Sequence, residues 1–494
     1  MKRTAGVLSV ASLVVLAGQA AGQTCVFPPI GPDVIVGVLH DISNSGTDTV
    51  AGVSYDSFSL GTTSCNLGNV PVQWYNDGDV TSSQPDIANK HPAIAQSAYR
   101  YTFSGGAGRF EQIGQSFLKH GFLALSNTAC CSNCSSTDGN TLGVGCSDPY
   151  SATRNSGQSN SGPKFQVNAH SGVFPYPVPY SGAPSYTTNT GRRLRIKTTD
   201  LVATTGGSAA TTRYFGEGQY VCYDDAQAGN NNNNASFREV AVSGSGTAFN
   251  FSFASAAGSY NTTQRQKSAI RAWKEIDPRV MQTEIQAPNE GFFILDSRAY
   301  LLPSGMWRYE YALYNMNSDR GAGSFTIPVS QNVSVSNIGF HDVDYHSGDG
   351  VSATGANWST YDGTDWPSTK NDMAISWATA QNFATNQGAN AIRWGNTFNF
   401  RFDTNVMPSF LNQSAVMGFF KPGMPGDPAT FTGAAVTPQV SASVGELFAY
   451  LDQWFTYFNL PVNTDPARFT DVNQDNAVNT GDLFYFLDQW FANQ

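Results

Sequence analysis

The sequence predicts a mainly β protein with three parts: a β-rich N-terminal domain (23–284), an immunoglobulin-like β-sandwich (285–425) and, after a linker (426–439), a small α-helical module (440–494). Three observations carry this. Charged residues make up 13% of the chain, about half the usual share, with Gly, Ser, Thr, Asn and aromatics in their place. Short apolar runs recur between Gly, Ser and Asn turns, the pattern of strands and not of helical bundles. Near the C-terminus the pattern changes, and one helical segment occurs twice.

In chain order, Lys2 and Arg3 precede the apolar run Val7 to Ala17, and Gly18 to Gly22 supplies small residues. This is the grammar of a secretory signal peptide (1–22), too short to remain as a membrane helix. No later run reaches the length of a membrane span, so the chain is expected to be secreted, extracellular or held at the cell surface. A net charge of −10 without a basic cluster argues against nucleic acid as a partner.

The N-terminal domain shows strand-like runs at Val34–Val38, Arg193–Lys197 and Ala248–Phe253, the last with Phe249, Phe251 and Phe253 on one face. Ala93–Tyr99 and Phe110–Leu118 carry helical spacing (Phe110, Ile113, Phe117), which predicts a little helix there. Asn230–Asn234 reads as a solvated polar loop. Cys25, Cys65, Cys130, Cys131, Cys134, Cys146 and Cys222 all lie in the first half. Cys130, Cys131, Cys134 and Cys146 admit a zinc cluster, but the spacing lacks two separated C-x-x-C knuckles and favours disulfides.

The second domain has strand signals at Phe292–Leu302, Trp307–Leu313, Ser324–Val329, Val333–Tyr345, Ala374–Ala378, Ala391–Phe402 and Val416–Phe420. Trp307, Tyr309, Tyr311 and Leu313 share one face of their strand. About seven strands in about 140 residues suit an immunoglobulin-like sandwich. If the strand from Val333 continues, Asp342, Asp344 and His346 share a face that could ligate a metal or simply form a polar outer surface. Trp307, Trp377 and Trp394 offer either a sugar-stacking platform or core packing. His91, Glu111 and His120 suit acid–base chemistry if the fold joins them. No G-x-S-x-G, H-E-x-x-H or phosphate loop is present.

The C-terminal module carries the most legible chemistry. Gly445 to Phe455 matches Gly481 to Phe491 with a period of 36 residues. Each copy sets Leu, aromatic, Leu and Trp at i, i+3, i+4 and i+7, one helical stripe. Before the second copy, Asp471, Asn473, Asp475, Asn479 and Asp482 fall at positions 1, 3, 5, 9 and 12 of a twelve-residue loop. With the backbone carbonyl of Ala477 at position 7, that spacing wraps a hard divalent cation, here Ca2+. The positions equivalent to these ligands before the first copy are Ala435, Thr437, Gln439, Ser443 and Glu446, which do not form such a loop.

On Asp471, Asn473, Asp475, Asn479 and Asp482, with Val478 as the apolar loop residue, the module resembles the dockerin family, over about residues 440–494. That resemblance implies an EF-hand-type calcium loop and a cohesin-like or cell-surface protein as partner. Loop position 6 departs from the pattern, with Asn476 where Gly is usual, and one of the family's two loops is missing. Gly339–Gly348 and Asn390–Gly395 resemble an uncharacterised family of secreted bacterial proteins, which implies no activity. The expectation is an exported, non-catalytic binding or structural protein assembled through its tail. The alternative is an extracellular glycoside hydrolase or carbohydrate-binding protein acting on polysaccharide.

Overall fold

The computed structural model describes residues 24–75, 89–158, 161–176, 188–411, 413–460 and 467–492. The expected signal peptide (1–22) lies outside them. The architecture is mainly antiparallel β, as the composition predicts. Among the described residues no helix is long and apolar enough to cross a membrane.

The N-terminal part is built on a large curled sheet. Its main path joins Val34–Val50, Val53–Asn66, Leu194–Lys197, Ala107–Gln115, Ala93–Ser104, Thr212–Val221, Ala235–Ser245 and Ala248–Phe253. The two ends of this path approach each other. Asn44, on the first strand, donates to the Phe251 carbonyl and accepts from the Phe251 amide, at 3.1 and 2.8 Å. Inside the curl, Phe58 stacks on Phe251 at 4.2 Å between centroids, among Val36, Leu39, Leu60, Ile113 and Val240.

Two segments expected to be helical are strands here: Ala93–Ser104 and Ala107–Gln115, paired as a hairpin. The reason is visible in the packing. Phe110 belongs to the cluster outside the curl and Ile113 to the one within it. A spacing of three therefore joins opposite faces of one strand, and both faces are buried. The run Asn230–Asn234 is likewise not a solvated loop throughout. Asn231 and Asn234 are buried, and their amides bond to the carbonyls of Ala169, His170 and Tyr220 and to Asp225.

The sandwich consists of two five-stranded antiparallel sheets. One holds Met281–Gln286, Phe292–Leu301, Trp307–Asn315, Asn396–Thr404 and Val335–His341. The other holds Ser368–Lys370, Ala374–Ala378, Ala322–Pro328, Ser414–Phe419 and Thr430–Ala434. Trp307, Tyr309, Tyr311 and Leu313 do share a face, and it fills the space between the sheets with Phe325, Trp377, Phe400 and Phe402. The even-numbered neighbours Ile294, Ala312 and Tyr314 face the other way and join Tyr99, Phe110, Phe215 and Trp273 of the N-terminal part. The first sandwich sheet is thus the middle layer of three, and its strands read as continuous apolar runs because both faces are covered.

This layering moves two expected boundaries. The sandwich begins at Met281, not at 285, and no solvent gap separates it from the N-terminal domain. The expected linker (426–439) contains a strand, Thr430–Ala434, paired with Ser414–Phe419, and continues as buried Ala435, Thr437 and Gln439. Alternation of small residues (Phe431 and Gly433 inward, with Thr430, Thr432 and Ala434 outward) let an edge strand pass for a Thr/Ala/Gly linker.

The cysteines form disulfides Cys25–Cys131, Cys65–Cys130 and Cys134–Cys146, which leaves no thiolate set for zinc. Cys222 is a buried free thiol. Three cross-links near the N-terminus suit an oxidising compartment.

Candidate metal centre

The two long helices of the tail are Val444–Tyr457 and Thr480–Ala492, with a single turn, Ala467–Thr470, between them. They are related by the sequence repeat, and the contacts between them are reciprocal. Tyr450 stacks on Phe486 at 3.9 Å and 9°. Trp454 donates its indole N–H to the Asn479 carbonyl at 2.8 Å, and Trp490 donates to the Ser443 carbonyl at 3.1 Å. Ser443 and Asn479 are equivalent residues, one before each helix. Each tryptophan therefore ties the start of the opposite helix. Tyr450, Trp454, Phe486 and Trp490 are buried and continue the sandwich core.

The loop before the second helix is shaped by its own side chains. Asp471 accepts from the amides of Asp475 and Asn476, both at 3.0 Å, through its two oxygens. Asp475 accepts from the Ala477 amide at 2.9 Å. Asp482 accepts from the amides of Asn473 and Asn479, at 3.2 and 2.8 Å, while Asn479 caps the Gly481 amide at 2.6 Å. Asn479 thus caps the helix that starts at Thr480, and Asp482, three residues on, accepts from the Asn479 amide as the acidic residue of a capping box does. Gln474 and Asn476 take positive φ, 56° and 72°. Asn at position 6 fits because a short polar side chain tolerates the left-handed region. Val478 is buried in the core and pins the loop to the helices.

Carboxylate oxygens of Asp471, Asp475 and Asp482 lie within 4.8 Å of one another. Burial pushes the Asp482 carboxyl up to about 6, and the negative charges of Asp471 and Asp475 add to the shift. Burial also raises Asp471, opposed by the Arg279 guanidinium. The amide nitrogens of Asn473 and Asn479 turn toward Asp475, at 3.1 and 3.5 Å. The side-chain donor set is all oxygen, carboxylate and carboxamide, the chemistry of a hard divalent cation and not of zinc or copper.

Sequence reasoning missed how this loop is held against the body. Arg279 donates to Asp471 and to the Asn476 side chain, the latter at 2.8 Å. Arg298 donates to Gln474 at 3.3 Å, and Gln474 donates to the Ala299 carbonyl at 3.3 Å. At the other end of the tail, Glu446 accepts from the Ser409 hydroxyl at 2.5 Å and the Phe410 amide at 2.8 Å. Glu446 is the counterpart of Asp482 in the first copy of the repeat. Where one copy gathers carboxylates around a common point, the other uses its carboxylate to grip the sandwich. Partners so far apart in sequence leave no local signal.

The other candidate groups are dispersed. The strand from Val335 ends at His341, so Asp342, Asp344 and His346 share no strand face. Asp342 accepts from Asn390 at 2.5 Å, and Asp344 binds the Tyr55 hydroxyl and the Lys197 ammonium at 2.8 and 2.9 Å. The His346 ring meets the Gln115 carbonyl at 2.8 Å. Asp342 is thus held within the sandwich, Asp344 and His346 are two separate anchors to the N-terminal part, and the three do not form a metal site. His91 and His120 do meet, at 2.9 Å, walled by Phe122, Phe174 and Tyr176. Glu111 is not with them; it pairs with Arg100 and Arg109 at 3.0 and 2.9 Å. Trp307, Trp377 and Trp394 are all buried, so they present no exposed stacking platform. No family model, curated protein or solved structure matches this chain.

Proposed function

We propose that this chain is an exported, non-catalytic β-protein whose C-terminal module binds Ca2+ and joins the body to a partner protein. The observation that carries the reading is the convergence of Asp471, Asp475 and Asp482 at the head of the second tail helix. Asn473, Asn479 and the Ala477 carbonyl would complete the oxygen shell, with water in the remaining positions. A dication there would relieve the mutual repulsion of the three carboxylates.

The partner surface in this reading is the outer side of the same two helices. Phe448 and Phe455 on the first, and their counterparts Phe484 and Phe491 on the second, are each between 65 and 73% exposed. Four exposed phenylalanines at repeated positions are costly to leave in water and characteristic of a protein-binding face. The dockerin-like module and its cohesin-like or cell-surface partner belong to this proposal. So does export, which the disulfides support.

The test uses the full mature chain, because the tail packs on the body. Calorimetry should show one Ca2+ bound by the wild type and none by Asp475→Asn together with Asp482→Asn. Capture of a secreted or envelope protein should then require Ca2+ and fail with Phe448→Ser plus Phe484→Ser. Absence of Ca2+ binding by the wild-type chain would end this reading.

A further inference from the structure

A cavity of about 210 Å³ lies where the N-terminal part meets the sandwich. Phe165, Tyr361 and Trp394 give it aromatic walls, and Lys164, Arg393 and Asp349 bring charge to it. A cavity of roughly 150 Å³ holds benzene, so this one has room for a ligand with a single ring.

Of the two cations, Lys164 is buried and Arg393 partly buried. Lys164 is 8% exposed; its ammonium donates to Gln115 at 3.3 Å and lies 5.6 Å from the Trp394 ring. Arg393 lies 3.7 Å over the Tyr361 ring and donates to the carbonyls of Gln387 and Ala389, both at 2.9 Å. Its Nε is buried without a hydrogen-bond partner. Among the described residues, neither cation has a carboxylate in ion-pair contact. The nearby Asp349 is turned to the His346 amide at 2.5 Å, and its other oxygen is buried and unpaired. Burial pushes that carboxyl up to about 7 and the Lys164 ammonium down to about 8. The other charged residues of the lining, Asp319 and Lys421, pair with each other at 2.9 Å, so Lys164 and Arg393 face Asp349 as the one remaining carboxyl of the lining. A buried charge without a counter-charge is costly, and an anion entering the cavity would remove that cost.

We propose that this cavity binds a ring-sized organic carboxylate, its carboxylate set toward Lys164 and Arg393 and its ring against Trp394 and Tyr361. The same chemistry could come from a sugar acid or from an aromatic acid, and the test separates them. Binding of glucuronate, benzoate, neutral glucose and benzyl alcohol to the full mature chain is measured by calorimetry and thermal shift. At least one acid should bind in the millimolar range or tighter and raise Tm, with its neutral counterpart about tenfold weaker or more. Preference for glucuronate would assign a sugar acid, and preference for benzoate an aromatic acid. Lys164→Gln and Arg393→Gln should each weaken acid binding about tenfold or more, because each removes one of two counter-charges. Should either variant fail to fold, the wild-type comparison of acid with neutral counterpart still decides. Equal binding of acid and neutral forms, or binding of neither acid, would overturn the proposal.

Discussion

Glu446→Ala should loosen the tail from the body without unfolding the body. In the native protein this carboxylate accepts two hydrogen bonds, from the Ser409 hydroxyl at 2.5 Å and the Phe410 amide at 2.8 Å. Both are charge-assisted, and leaving a buried amide unpaired costs about 1–3 kcal/mol. Ser409 and Phe410 are both part-buried, and without the carboxylate each loses a charge-assisted partner, so the expected loss is about 2–4 kcal/mol. At about 1.4 kcal/mol per decade, that is a rise on the order of 30- to 1,000-fold in the opening equilibrium of the tail. Hydrogen exchange resolved by residue reads this directly, in the amides of Val444–Tyr457. Glu446→Gln keeps one acceptor and should fall between wild type and Ala. The cap on this helix, in which the backbone amide of residue 446 donates to the Ser443 hydroxyl, does not involve the carboxylate and survives both changes. Exchange within about threefold of wild type in Glu446→Ala would refute the argument, as would equal acceleration throughout the sandwich.

The remaining predictions concern charge. With chelator present, Asp482 titrates near 6, above the ordinary carboxylate value, so the metal-free tail gains stability as pH falls through about 6. Protection factors in Thr480–Ala492, with the intrinsic pH dependence of exchange divided out, should then be higher at pH 5 than at pH 7.5 in chelator; Ca2+ should reverse the order, and no dependence in either condition would contradict the reading. His91 and His120 are held neutral by burial, at about 3 and about 4, with each ring's neighbour adding a smaller repulsion. Since the unfolded value is near 6.5, their contribution is complete above it and is lost as pH falls toward 4. His120→Gln should flatten the slope of urea stability between pH 6 and 4 by up to about 1.4 kcal/mol per pH unit, and an unchanged slope would exclude it. Glu239 is fully buried and holds Arg213 through two bonds, at 2.9 and 2.5 Å, and the amides of Gly207 and Tyr260 at 2.7 and 2.9 Å. Glu239→Gln should cost about 3–5 kcal/mol by urea unfolding, with a loss under about 1 kcal/mol counting against it.

What the sequence determined by itself was whatever rests on local spacing. The strands Ala248–Phe253 and Ala374–Ala378 follow from period-2 alternation, and their residue limits match the expectation. The inward face of Trp307–Asn315 follows from the same rule. The oxygen-bearing residues from Asp471 to Asp482 converge because a twelve-residue loop brings its own side chains together. Only the tertiary structure decided the rest. Phe110 and Ile113 read as one helical face until a third layer of protein covers the strand on both sides. Asp342, Asp344 and His346 part company because each finds a different distant partner, Asn390 of the sandwich for the first and Tyr55 and Gln115 of the N-terminal sheet for the others. Glu446 became a clamp, and Lys164 and Arg393 came to one cavity, through contacts between segments far apart in the chain. Side-chain periodicity specifies which face is apolar, but which surface covers that face is fixed by long-range packing.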